Sequence, residues 1–157
     1  MGPLQGIKIL EFSGIGPGPY CGMLLADLGA DVIRLNRKDQ KGVENKYDIH
    51  NRSKRSITAD LKDPNVTVQI LNLIKQMDVV FEGFRPGVME KLGLGPEDCL
   101  KINESLVYGR MTGWGQDGPM AKQAGHDINY ISLSGALNSI GRKNSNPLAP
   151  LNLVGDY

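Results

Sequence analysis

Gly6-Ile7-Lys8-Ile9-Leu10-Glu11-Phe12, then Gly14-Ile15-Gly16-Pro17-Gly18-Pro19, then Tyr20 to Leu28, then Asp31-Val32-Ile33-Arg34-Leu35: this order decides the fold. The first run is β-rich and bounded by glycines, which predicts a buried strand. The second is turn-forming. The third carries Met23, Leu24 and Leu28 at helical spacing, with Gly29 placed as a C-cap. The fourth predicts a second short strand. Strand, glycine-rich turn, helix, strand is a βαβ unit, which requires a parallel pair joined by a right-handed crossover.

The alternation continues outward. Arg55-Ser56-Ile57-Thr58-Ala59 predicts a short strand or extended segment. Asp63-Pro64 starts a helix, with proline tolerated in the first turn, and Val66, Ile70, Leu73, Ile74 and Met77 mark its apolar face up to Gln76. Asp78 to Glu82 predicts a buried strand. Pro86 to Leu92 and Pro96 to Ile102 predict two short helices, and Leu106 to Met111 a further strand. Gly113 to Pro119 reads as a loop, Asp127 to Ile140 as one amphipathic helix, and Gly141 to Tyr157 as irregular. The expected class is α/β, a Rossmann-like parallel sheet with helices.

Composition fits that class. The chain has 157 residues, 40% hydrophobic and 22% charged, with no apolar run near the ~20 residues of a membrane span. Met1 to Gly6 lacks the layout of a signal peptide, so a secreted protein is not expected. Cys21 and Cys99 form neither a disulfide framework nor a metal site and read as small buried hydrophobes. The net charge of +1 gives no general attraction to nucleic acid or membrane. Its distribution is uneven. Between Arg34 and Lys62 lie nine basic side chains (Arg34, Arg37, Lys38, Lys41, Lys46, Arg52, Lys54, Arg55, Lys62) against four acidic ones (Asp39, Glu44, Asp48, Asp60), a local excess of five. That excess reads as a solvated loop or as a seat for a ligand with several phosphates.

A phosphate cradle at the Gly14-x-Gly16 turn departs from the dinucleotide spacing. Pro17 and Pro19 lack N–H donors, and proline stands where a dinucleotide fingerprint needs glycine or alanine. Arg37, after the second strand, suits a ribose-linked phosphate. His50 sits in the polar loop and reads as solvated. His126 stands between Gly125 and Asp127 at a predicted helix start. It reads either as a cap or as a general base, since a helix N-terminus favours the neutral imidazole that a base needs. Asp156 follows Gly155 after an apolar run, and spacing alone does not bring it to His126.

Several motifs agree on one family. They are Leu4-Gln5-Gly6-Ile7, Gly16-Pro17-Gly18-Pro19, Leu25 to Ile33, Lys54-Arg55-Ser56, Asp60-Leu61-Lys62, Phe84-Arg85-Pro86-Gly87-Val88, Leu92 to Glu97 and Gly113-Trp114-Gly115-Gln116. The most specific are Ala124-Gly125-His126-Asp127-Ile128-Asn129-Tyr130 and Pro150-Leu151-Asn152-Leu153-Val154-Gly155-Asp156. Through them the chain resembles the family III CoA-transferase group, and within it the alpha-methylacyl-CoA racemases.

The resemblance implies inversion of the α-carbon of 2-methylacyl-CoA thioesters with no metal or organic cofactor. His126 would be the base for one face and Asp156 its counterpart on the other, with the enolate oxygen stabilised between proton transfers. The CoA moiety would lie on Arg37, on Thr58, Ala59, Asp60, Leu61 and Lys62, on Arg85 and Lys91, and beside Gly125, Asp127, Ile128, Asn129 and Tyr130. A glutamate outside this sequence would support Asp156. Transferases of the family instead use an aspartate in a comparable position as the nucleophile that forms an acyl anhydride.

By the same resemblance, residues 1–157 would be the N-terminal part of the large CoA-binding domain, without the small domain and C-terminal segment. The whole protein would be an interlocked homodimer with an acyl-CoA substrate and no nucleic-acid or membrane partner. It would work in peroxisomes or mitochondria if eukaryotic, and in the cytoplasm if bacterial. A non-catalytic fragment that binds CoA or pairs with another chain is the third reading, and the apolar end at Leu151 to Val154 predicts self-association or poor solubility.

Overall fold

The computed structural model describes residues 2–38 and 47–156; Asp39, Lys41, Glu44 and Lys46 of the basic stretch and Tyr157 lie outside the described residues. The chain divides into two units, residues 1–111 and residues 112–157.

The first unit is the predicted α/β fold. Its elements are β1 (Lys8–Phe12), α1 (Pro17–Asp27), β2 (Asp31–Arg37), β3 (Arg55–Ala59), α2 (Pro64–Ile74), β4 (Val79–Glu82), α3 (Val88–Lys91), α4 (Pro96–Ile102) and β5 (Val107–Arg110). The strands form one sheet in the order β3-β2-β1-β4-β5, and every pair is parallel. The order reverses between β1 and β4. In open sheets of this kind, ligands bind outside the carboxyl ends of the strands.

Both faces of the sheet are covered, as a parallel sheet requires. Leu10 and Phe12 of β1 and Ile33 and Leu35 of β2 face one layer with Ile70 and Ile74 of α2, Met89 of α3 and Cys99 of α4. Ile9 and Val32 face the other, with Ala26 of α1. Period-two alternation thus sends every other apolar residue of a strand to a different core.

Glu11 breaks that alternation with a charge. It belongs to the same face as Ile9 and is fully buried. Lys54 Nζ lies 2.6 Å from its Oε2 and also donates to the Pro19 carbonyl at 2.9 Å. Arg34 Nε stands 3.8 Å from Oε1. Burial pushes the Glu11 carboxyl above its ordinary range and the Lys54 ammonium below its own, against their mutual attraction. Gly22 of α1 makes the room: a Cβ there would come within 2.1 Å of Glu11 Oε2 and 2.8 Å of Lys54 Nζ.

The structure moves several boundaries. α1 starts at Pro17, not Tyr20, because both prolines fit within its first turn, where N–H groups have no helical partner. Gly29 has φ +99°, the left-handed conformation expected of a C-cap glycine. Asp63 caps α2 by accepting from the Asn65 N–H at 2.9 Å. Of the two short helices predicted after β4, the first shrinks to α3, preceded by Gly87 at φ +84°.

The second unit holds α5 (Asp127–Leu133) and a 3-10 turn at Ala136–Ser139. The single helix expected over Asp127 to Ile140 therefore ends early. Gly135 is left-handed at φ +83°, and the hydroxyls of Ser132 and Ser134 donate to the carbonyls of Ile128 and Ile131. Such local bonds compete with helix continuation. Among the described residues no helix is long and apolar enough to cross a membrane.

Candidate active site

In the first unit the sheet register brings some of the expected CoA residues together. Arg37 pairs with Ala59 and Asn36 with Thr58 at the carboxyl ends of β2 and β3. The Lys38 N–H donates to the Ala59 carbonyl at 3.2 Å. Asp60 then turns the chain toward α2, with its carboxylate accepting from the Lys62 N–H at 3.0 Å. Arg37, Thr58, Asp60 and Lys62 are exposed, and Ala59 and Leu61 half-buried. Arg85 lies in the turn before α3, Lys91 ends α3, and both are exposed.

Several other described residues of the basic stretch are paired. Arg52 forms an ion pair with Asp27, and Arg55 with Asp31. Asp48 accepts from the His50 N–H at 3.1 Å and stands 3.3 Å from its Nδ1, and the ring meets Tyr20 edge-on at 6.2 Å. His50, expected to be solvated, is instead half-buried by a short 3-10 turn at Ile49–Asn51. Among the described residues no group of three or more His, Cys, Asp or Glu side chains could hold a metal ion.

The second unit brings His126 and Asp156 together. His126 Nδ1 is 3.6 Å from Asp156 Oδ2, across 30 residues of sequence; the imidazole is 75% exposed and the carboxylate 17%. His126 is the N-cap residue of α5, with extended backbone, and its N–H donates to Asn129 Oδ1 at 3.0 Å. Asp156 Oδ2 accepts from the Asp127 N–H at 2.9 Å. The Asp127 carboxylate is buried and faces the chain's own backbone: its Oδ1 accepts from the N–H groups of Val154, at 2.7 Å, and Gly155. Those donors hold its carboxyl below the usual carboxylate range.

An aromatic pair backs this turn. The Tyr130 hydroxyl donates to the Gly125 carbonyl at 2.5 Å, and its ring lies 4.9 Å from that of Trp114 at 65°. Trp114 Nε1 reaches the Ala124 carbonyl at 3.4 Å. Burial and the neighbouring Asp156 charge push the Tyr130 hydroxyl above its ordinary range. Two glycines permit the packing. A Cβ on Gly125 would lie 2.7 Å from the Trp114 ring, and one on Gly113 would lie 2.2 Å from the Tyr130 hydroxyl. Gly113→Ala should therefore destabilise this unit by about 1–3 kcal/mol, the usual cost of overpacking. Trp114 is the chain's one tryptophan, so its fluorescence reads the unit directly. Unchanged emission and an unchanged unfolding midpoint would contradict the packing described.

Ile128 and Asn129 are exposed on α5, and Leu148, Leu151, Leu153 and Val154 are exposed in the irregular segment that follows. Leu4, Gln5 and the later motifs fall within a match of residues 4–157 to the CoA-transferase family III pattern. The chain belongs to CoA-transferase family III.

Its similarity to individual members divides between two activities. It is 49% identical to the human protein named alpha-methylacyl-CoA racemase, over 98% of this chain and 40% of that protein. It is 36% identical to human succinyl-CoA:glutarate CoA-transferase, over 94% of this chain and 36% of that one. The crystal structure of a CAIB/BAIF family protein from Brucella suis superposes with a TM-score of 0.85 at 34% identity, covering 96% of this chain and 44% of that chain. The chain thus spans about two fifths of the length of the curated relatives it matches.

Proposed function

We propose that the protein interconverts the epimers of 2-methylacyl-CoA thioesters by moving the α-proton, with His126 and Asp156 as the acid/base pair. The observation that carries this reading is their 3.6 Å approach. That gap is too small for a carbon between Nδ1 and Oδ2. Nε2 of His126 and Oδ1 of Asp156 are therefore the atoms offered to substrate.

A thioester α-proton is a weak acid, so its removal needs a base held in place and a stabilised enolate oxygen. One group takes the proton from one face, leaving a planar enolate, and the other returns a proton to the opposite face. The carbon ends inverted, and the base and acid have exchanged protonation states. Nothing but a proton moves, so this reaction calls for no further cofactor. The racemase relative at 49% identity supports the same reading. Incubation of one pure epimer with the full chain should yield both; recovery of that epimer alone, with CoA transferred to an added acid, would replace this reading with the next.

The second reading is a CoA-transferase. The half-buried Asp156 carboxylate and the transferase relative at 36% identity favour it. Asp156 would attack the thioester carbonyl, expelling the CoA thiolate and forming a mixed anhydride. Hydroxylamine trapping of the acylated Asp156 distinguishes the two.

The nucleotide end of CoA is proposed to lie on Arg37 and Thr58 to Lys62. The carboxyl end of a second parallel strand is where related sheets hold a nucleotide ribose, with arginine accommodating a ribose phosphate. Arg37→Ala should weaken CoA binding, and the difference from the parent should shrink as salt rises. Equal affinity of mutant and parent at low salt would remove Arg37 from the site.

A further inference from the structure

We infer that Asp127 is a positioning residue, whose buried carboxylate holds the backbone of Val154 and Gly155 against the start of α5 and so fixes where the Asp156 carboxylate stands. This deepens the acid/base reading above and rests on it.

The bonds are reciprocal and long in sequence. The Asp127 side chain accepts from N–H groups 27 and 28 residues away, and its own N–H donates to the side chain of Asp156. Each aspartate thus fixes the other's backbone or carboxylate. Asp156 Oδ2, held by the Asp127 N–H, is the same oxygen that faces His126 Nδ1. His126 precedes Asp127 directly, but its own N–H is held separately by Asn129 Oδ1, so the Asp127 carboxylate sets only the Asp156 side of the pair. Gly155 lets the strands of the clasp close: a Cβ there would stand 3.2 Å from Ile131 Cγ2 and 3.3 Å from Tyr130 Cβ.

The competing role is a substrate contact. A side chain meeting the phosphates or pantetheine of CoA would be open to solvent, and a carboxylate would repel the phosphates. Asp127 is 7% exposed and already accepts two backbone N–H groups. The two carboxylates of the clasp stand close because each accepts a backbone N–H bond of its own.

The consequence is selective. Without the Asp127 carboxylate, residues 154 and 155 lose their anchor, and Asp156 shifts on the one backbone bond left to it, while His126 keeps the Asn129 bond to its N–H. Displacement of a reacting group by about 1 Å costs on the order of 100-fold in rate.

The test uses the full chain with each pure epimer of a 2-methylacyl-CoA in deuterated water, and reads α-proton exchange for Asp127→Ala, Asp127→Asn and Asp156→Ala. Asp127→Ala should lower kcat by about 100-fold for the epimer whose exchange Asp156→Ala abolishes. It should leave the other epimer's exchange and both KM values near parental. Asp127→Asn keeps an acceptor oxygen and should restore most of the loss. Parental kcat in folded Asp127→Ala overturns the proposal. So does a rise in KM with kcat unchanged, or an equal loss on both epimers that asparagine does not restore. Should Asp127→Ala not fold, Asp127→Glu decides: the displaced acceptor should slow the Asp156-dependent epimer, and parental exchange there overturns the proposal. If Asp156→Ala itself keeps parental exchange of both epimers, the acid/base reading has failed. If it loses one epimer and Asp127→Ala loses neither, only the positioning role has failed.

Discussion

His126→Ala in the full chain should abolish racemisation in both directions while leaving α-proton exchange of one epimer. Each inversion needs a base on one face of the enolate and an acid on the other, so removing either group stops both directions. The remaining Asp156 can still remove and return a proton on its own face. A positioned acid or base typically contributes ~10²–10⁴-fold, so the loss is measurable by chiral separation of the thioesters. The structural cost of the change is small, because the imidazole is 75% exposed. His126→Ala with near-parental racemisation would reduce His126 to a residue of the α5 cap and send the search for the base elsewhere.

Lys54→Met should cost the first unit about 3–5 kcal/mol, the usual penalty for removing one partner of a buried ion pair. Methionine matches the length of the lysine stem but leaves Glu11 in the interior without its 2.6 Å partner, and Arg34 Nε stands off at 3.8 Å. The deficit should depend on pH with a defined sign. Burial already raises the Glu11 carboxyl in the folded state above its unfolded value. A group raised in this way contributes stability below its unfolded pKa and loses it as pH rises through the folded one. Loss of Lys54 raises the folded value further, so the mutant's deficit should be largest at neutral pH and shrink as acid protonates Glu11. Denaturant melts of parent and mutant between pH 7 and the acid limit read this directly. A deficit independent of pH would mean that Glu11 is not the group left uncompensated. Glu11→Gln in the Lys54→Met background should recover part of the loss, since the neutral amide carries no charge to bury.

The sheet was legible because period and punctuation agree. Gly6 to Phe12, Asp31 to Leu35 and Asp78 to Glu82 are short apolar runs ended by turn residues, and each lies in the sheet. Strand order was not legible: nothing local tells β4 to pair with β1 on the side away from β2. The apolar spacing from Asp127 to Ile140 extends a helix that the chain ends early, because Gly135 is left-handed and the hydroxyls of the serines before it find local carbonyls.

The site was legible in part. Gly125-His126-Asp127 and Gly155-Asp156 stand out as motifs, but their meeting depends on the Asp127 bonds to residues 154 and 155, which no local spacing encodes. Glu11 was missed as a structural charge. Its signal was a lone carboxylate inside Ile7-Lys8-Ile9-Leu10-Glu11-Phe12, where the alternation that buries Ile9 also buries Glu11. Its partner, 43 residues on, sits in a basic stretch that reads as solvent-facing. Gly22 carries no local sequence signal of its own; the pair beneath it explains the missing Cβ.

His126 and Asp156 of this chain should move an α-proton. Deuterium incorporation at the α-carbon of a single 2-methylacyl-CoA epimer, followed by mass and chirality in deuterated water with the full chain, tests it most directly. α-Deuterium should appear in both epimers as inversion proceeds. Turnover of the thioester with CoA passed to another acid and no deuterium at the α-carbon would contradict it.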